Sequence, residues 1–104
     1  MFMWNIPDVS PEDLMEMLSD EYSRKILYST VSEAKSAAEI AEENEIPLST
    51  CYRRIRWLLD SHLLRVEKII LTDKGKKSAL YRSRIKDIRV AFKGGRLSIE
   101  PTAP

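Results

Sequence analysis

The stretch SAAEIAEENEIPLSTCYRRIRWLLDSHLL, from Ser36 to Leu64, limits what this chain can fold into more than any other. It reads as two short helices joined by a tight turn. Ser36 followed by Glu39 is a capping-box start, in which each side chain satisfies a free backbone N–H of the first turn. Ala37, Ile40 and Ala41 then recur at helical spacing, and the small residues among them let another helix approach closely. Asn44-Glu45-Ile46-Pro47 interrupts the pattern, because the residue before a proline is pushed out of the α region. A second helix starts near Leu48 or Ser49. On it Cys51, Ile55, Leu58 and Leu59 fall at i, i+4, i+7 and i+8 and define one buried stripe. The remaining face holds Ser49, Thr50, Tyr52, Arg53 and Arg56, with Arg54 on its border. An apolar stripe backed by hydroxyls and guanidiniums is what a recognition helix requires. Arginines can reach guanine edges or phosphates, and hydroxyls can reach phosphates or bases.

Charge supports that reading through its distribution rather than its total. The net charge is only +1. From Met1 to Glu45, however, 3 basic and 11 acidic residues give −8, and from Ile46 to Pro104, 14 basic and 5 acidic residues give +9. Such asymmetry between halves marks a surface for a polyanion. The bland alternative is a set of solvated faces that happen to segregate, but the basic half coincides with the arginine-bearing helix and the strand-like segment after it.

The segment from Asp20 to about Ile85 resembles winged-helix transcriptional regulators of the ArsR-like superfamily, particularly small archaeal-type members. The resemblance rests on SRKILYSTV, SAAEIAEENEIPLSTCYRRIRWLL and LLRVEKIILTDKGKKSALYRSRI, about two-thirds of the chain. It implies a winged helix-turn-helix, and with the extra N-terminal helix and the C-terminal β-hairpin that the flanking residues themselves indicate, the fold expected is mainly α with a small β part (α+β). The segments expected are an arm and helix over 1–18, the winged domain over 19–86, and the hairpin with its tail over 87–104. Two departures from the family pattern stand out. Asn44-Glu45 replaces the usual Leu-Gly of the turn, and Asn44, which tolerates left-handed geometry, is expected to supply it one residue early. The metal-sensing cysteine pairs of some ArsR proteins are absent.

At the N-terminus, Met1, Phe2, Met3, Trp4 and Ile6 form an apolar lead-in, which has no basic start and is closed by Pro7-Asp8, so it does not read as a signal peptide. Ser10-Pro11-Glu12-Asp13 is a strong helix start, opening a helix with Leu14, Met15, Met17 and Leu18. This arm and helix pack either on their own domain or on a second copy. Ser19 or Asp20 caps the next helix, whose inward side is Tyr22, Ile26, Leu27, Thr30 and Val31. After Leu64 the β-formers Val66, Ile69, Ile70 and Leu71 lead into a polar tip, Thr72 to Lys77, and Ala79 to Ile85 is the return strand of a wing. Lys74, Lys76 and Lys77 belong at that tip, with Arg82 on the return strand. A helix starting at Leu71-Thr72-Asp73 is the competing reading. Finally, Gly94-Gly95 closes a hairpin that pairs Lys93 with Arg96, Phe92 with Leu97, Val90 with Ile99 and Arg89 with Glu100. That register puts Ile88, Val90, Phe92, Leu97 and Ile99 on one face, which needs a cover because an isolated hairpin is marginal.

Other chemistries find little support. A chain of 104 residues fits one domain with a modest core. No apolar run approaches the roughly 20 residues of a membrane span, so no membrane partner is expected. The single cysteine fits a reducing cytoplasm. Cys51 lies on the apolar stripe and reads as core; His62 stands at the end of the same helix, where a cation suits the negative pole. Eleven residues apart and without further Cys or His, they do not make a zinc site. No catalytic constellation, metal site or cofactor motif is present. Trp57 is expected half-buried against the wing, and Tyr52 at the interface with DNA. The expectation is a homodimeric regulator that binds double-stranded DNA through Ser49, Thr50, Tyr52, Arg53, Arg54 and Arg56, with Lys74, Lys76, Lys77 and Arg82 on phosphates. A small-molecule effector is neither implied nor excluded. The rival is a winged-helix adaptor that binds protein, since fold alone does not assign function.

Overall fold

The computed structural model describes residues 9–104, so the apolar lead-in Met1 to Ile6 lies outside the described residues. Four helices precede two antiparallel hairpins: α1 (Pro11–Ser19), α2 (Glu21–Ser29), α3 (Ala37–Asn44), α4 (Leu48–Asp60), β1 (Leu64–Leu71), β2 (Lys77–Ser83), β3 (Asp87–Lys93) and β4 (Arg96–Thr102). This is an α+β winged helix-turn-helix with one helix before it and one hairpin after it.

Caps set the helix starts. Ser10 accepts from the Asp13 N–H at 3.0 Å and Asp20 from the Ser23 N–H at 2.9 Å. Ser36 and Glu39 form the full capping box. The ends of α3 and α4 share one device. Glu45 (φ 54°) and His62 (φ 61°) are left-handed, and the next residue's N–H folds back onto the helix, Ile46 to Ala41 O and Leu63 to Leu58 O, both at 2.9 Å. The left-handed residue of the turn is therefore Glu45, where the regulators that the sequence resembles have glycine, and not Asn44. Asn44 stays helical because its side-chain amide donates to Ile40 O at 2.8 Å. His62 likewise lies beyond α4 and is exposed, serving the backbone turn.

Ile26, Ile40, Ile55 and Leu58 from α2, α3 and α4 meet in a core that Leu14 and Met17 of α1 extend and Leu63, Leu64 and Ile85 close. The wing is a hairpin, as opposed to a helix. Its return strand begins at Lys77 and ends at Ser83, two residues earlier than expected at each end, so Lys77 pairs with Leu71 while Lys74 and Lys76 stay in the tip. A bulge at Glu67 interrupts the register between Val66 and Lys68, which explains the broken alternation of the sequence. Two hydrogen bonds between Lys35 and Tyr81, at 3.0 and 2.7 Å, clamp the wing's base to the α2–α3 connection. The second hairpin has the expected register throughout, with Gly94 (φ 59°) and Gly95 (φ 75°) both left-handed as a two-residue primed turn requires. Pro101 is buried and Ile88 and Ile99 pack on the core, so the root of its apolar face is covered by the chain itself. Both hairpins project, and the molecule extends 56 × 27 × 21 Å.

Candidate nucleic-acid interface

At about 100° per residue, α4 divides into four sides. Cys51, Ile55 and Leu58 are buried. Opposite them, Ser49, Arg53 and Arg56 are exposed. Tyr52, 53 % exposed, lies on the flank towards the wing. There Tyr81 stands close to it: burial pushes the Tyr81 phenol up, Tyr52 and Cys51 add to the rise, and the Arg56 guanidinium opposes it. Thr50, Arg54 and Trp57 form the other flank. Trp57 is half-buried and lines a cleft with Val9, Asp13, Glu16 and Met17, so it lies on the α1 side of α4 and not on the wing side. Helical phase demands this, since Trp57 sits roughly 140° around the axis from Tyr52, which faces the wing.

The basic side chains named from the sequence divide into open and engaged ones. Arg56 is exposed, and Arg53 donates weakly along its own helix to Thr50 Oγ1 at 3.3 Å. Lys74, Lys76 and Lys77 are all exposed on the wing, with the tip loop closed by hydrogen bonds from Thr72 N–H to Lys76 O and from Gly75 N–H to Thr72 O, both at 2.8 Å. Arg54 instead reaches across to Asp20, Nε to Oδ2 at 2.9 Å. Asp20 thus caps α2 and holds the flank of α4 at once. Burial alone would raise its carboxyl, but hydrogen bonds from Arg54 and from the Ser23 backbone and hydroxyl outweigh that and hold it below the usual value. Arg82 is half-buried: Nε donates to Val31 O at 3.1 Å and Nη1 pairs with Glu67 at 3.1 Å. Glu67, the bulge residue, also meets Arg65 at 3.3 Å.

The structure thus brings Ser49, Tyr52, Arg53 and Arg56 onto one open surface beside the wing. It ties Arg54 and Arg82 into the frame that carries that surface. Leu48 is a further exposed residue at the start of α4, one turn before Tyr52, that the sequence pattern alone did not single out. Its helical phase, on the side of Tyr52, is the signal that could have found it. No side chain caps α4, whose N-cap position is Pro47, so first-turn N–H groups remain for an external acceptor. Cys51 is fully buried, with Sγ 3.7 Å from Ala37 O, and burial raises its thiol. Among the described residues, no three His, Cys, Asp or Glu side chains cluster as metal ligands, and no helix is long and apolar enough to cross a membrane.

A family model described as a helix-turn-helix domain matches residues 18–67, just under half of the chain. The match runs from the end of α1 through α4 into β1, the same unit that the geometry isolates. No curated protein matches the chain.

Proposed function

We propose that this protein is a cytoplasmic, sequence-specific regulator of transcription that places α4 in the major groove of double-stranded DNA and its wing on the adjoining backbone. The carrying observation is the open face of α4, where Ser49, Tyr52, Arg53 and Arg56 stand exposed and Asp60, at the far end, is the helix's one acid. Arg53, nearer the helix start, addresses a base edge, since the beginning of such a helix lies deepest in the groove. Arg56 and Ser49 share that face, and Thr50 supports Arg53 from below. Tyr52 and Leu48 offer apolar contact to a thymine methyl. The uncapped N-terminus of α4 suits a phosphate. Lys74, Lys76 and Lys77 take phosphates from the wing, and Arg54 and Arg82 hold the reading surface in place more than they read. The acidic helices face away, and two copies bind as a homodimer.

One observation favours the adaptor reading. Strand β1 exposes Val66, Ile69 and Leu71 along the wing, and apolar strands suit a protein partner better than a phosphate. Titrating the protein against mixed duplex DNA at two salt concentrations separates the two. A DNA binder shows an affinity that falls steeply with salt, as released counterions demand. An adaptor shows no saturable binding at either.

A further inference from the structure

The C-terminal hairpin carries two features that match each other, one at each end. Phe92, 76 % exposed, stands at its tip opposite Leu97. At its root, Ile88 lines an apolar groove with Leu18, Leu27, Tyr28 and Val31, and Tyr28 is 85 % exposed. Ile88 and Phe92 are four residues apart on the same strand, so they share a face and stand about 13 Å from each other at ~3.3 Å per residue. A knob and a hollow therefore lie on one side of one element, too far apart to meet within a chain.

We propose that this face is where a second copy of the chain docks. Two copies pack their hairpin faces together about a two-fold axis, hairpins antiparallel, so that Phe92 of each copy enters the groove beside Tyr28 of the other. A second copy is the occupant because the surface holds both halves of the match, and only an isologous contact uses each half twice. Charge bears on the orientation of the two copies and not on the attraction between them. The tip carries Lys93 and Arg96 without an acid, whereas Asp87 and Glu33 flank the root. A parallel crossing would stack four cations at the tips, and an antiparallel one avoids that by setting each tip against the mixed charges of the other root. Lys86, Arg24 and Lys35 border the root too, Arg24 donating to Leu18 O at 2.7 Å and Lys35 pairing with Glu43 at 2.8 Å, so the root has no net negative charge and the apolar match carries the contact. Burying Val90, Phe92 and Leu97 also supplies the cover that a two-stranded hairpin needs in water.

The contact does not depend on nucleic acid, so its failure and that of the DNA reading are separately visible. Sedimentation over a micromolar concentration series should bring the wild type to twice the 12.0 kDa chain mass. Phe92→Ser, at an exposed position that leaves the fold intact by circular dichroism, should weaken self-association roughly 30-fold or more. Mild oxidation of the Tyr28→Cys/Phe92→Cys variant should yield covalent dimers, and Phe92→Cys alone should not. A wild type that stays at 12.0 kDa, a Phe92→Ser variant that dimerises as well as wild type, or efficient cross-linking through Phe92→Cys alone would each overturn the proposal.

Discussion

Asp20 joins two elements through one carboxylate, and its ionisation carries a stability signature. Its folded-state value lies below the ordinary one, through Arg54 and Ser23. A depressed carboxyl stabilises the fold above its unfolded value of about 3.9 and loses that contribution as pH falls through the lower folded value. Asp20→Asn keeps a capping side chain but removes the charge. Near neutral pH it should cost about 1.5–3 kcal/mol in urea unfolding, the range for hydrogen bonds to a charged group. The gap to wild type should narrow as pH is lowered through the acid range. An equal gap at every pH would mean that the ion pair with Arg54 contributes nothing. Cys51 is the second residue whose role the packing fixes. Buried, with its thiol raised, it should alkylate slowly in the folded protein, and Cys51→Ala should lower stability while leaving binding to duplex DNA in place. Rapid labelling at neutral pH, or release of DNA on mild oxidation, would make it a sensor instead.

Among the elements, the turns that close α3 and α4 hold a latent gain. Glu45 and His62 adopt left-handed geometry that costs a side-chain-bearing residue about 1–2 kcal/mol. Glu45→Gly or His62→Gly should therefore raise stability by up to about 1 kcal/mol, part of the relief being lost to the freer unfolded chain. A fall in melting temperature on both substitutions would show that their side chains matter more than their backbones. These turns also show what a sequence makes legible. Local rules place the capping box, the helix starts and the Gly94-Gly95 hairpin, because each depends on residues within a few positions. Propensity assigns the left-handed position to Asn44, and the backbone closure through Ile46 overrides it. Trp57 goes to the wrong neighbour because periodicity identifies a flank of α4 without saying what packs there. The pairing of Arg54 with Asp20, 34 residues apart, and of Arg82 with Glu67 at a bulge has no local signal. Which arginines stay open is therefore the least legible part of the candidate site.

At the scale of the whole molecule, charge and architecture coincide. The acids concentrate on α1 to α3, while the open cations lie on α4 and the wing. Arg53 and Arg56 are three residues apart on the exposed face of α4, and Lys76 and Lys77 stand on the projecting wing, so the proposed reading assigns them different work. The most direct test is fluorescence anisotropy across a salt series, using a duplex selected from a random pool and a scrambled control. Arg53→Ala should cost roughly 1–3 kcal/mol on the selected duplex and relax discrimination at one base pair. Lys76→Ala combined with Lys77→Ala should weaken both duplexes alike and reduce the salt slope by about one unit per lost contact. If Arg53→Ala leaves binding to the selected duplex intact while the lysine pair sets sequence preference, the wing is the reader and the role given to α4 is wrong.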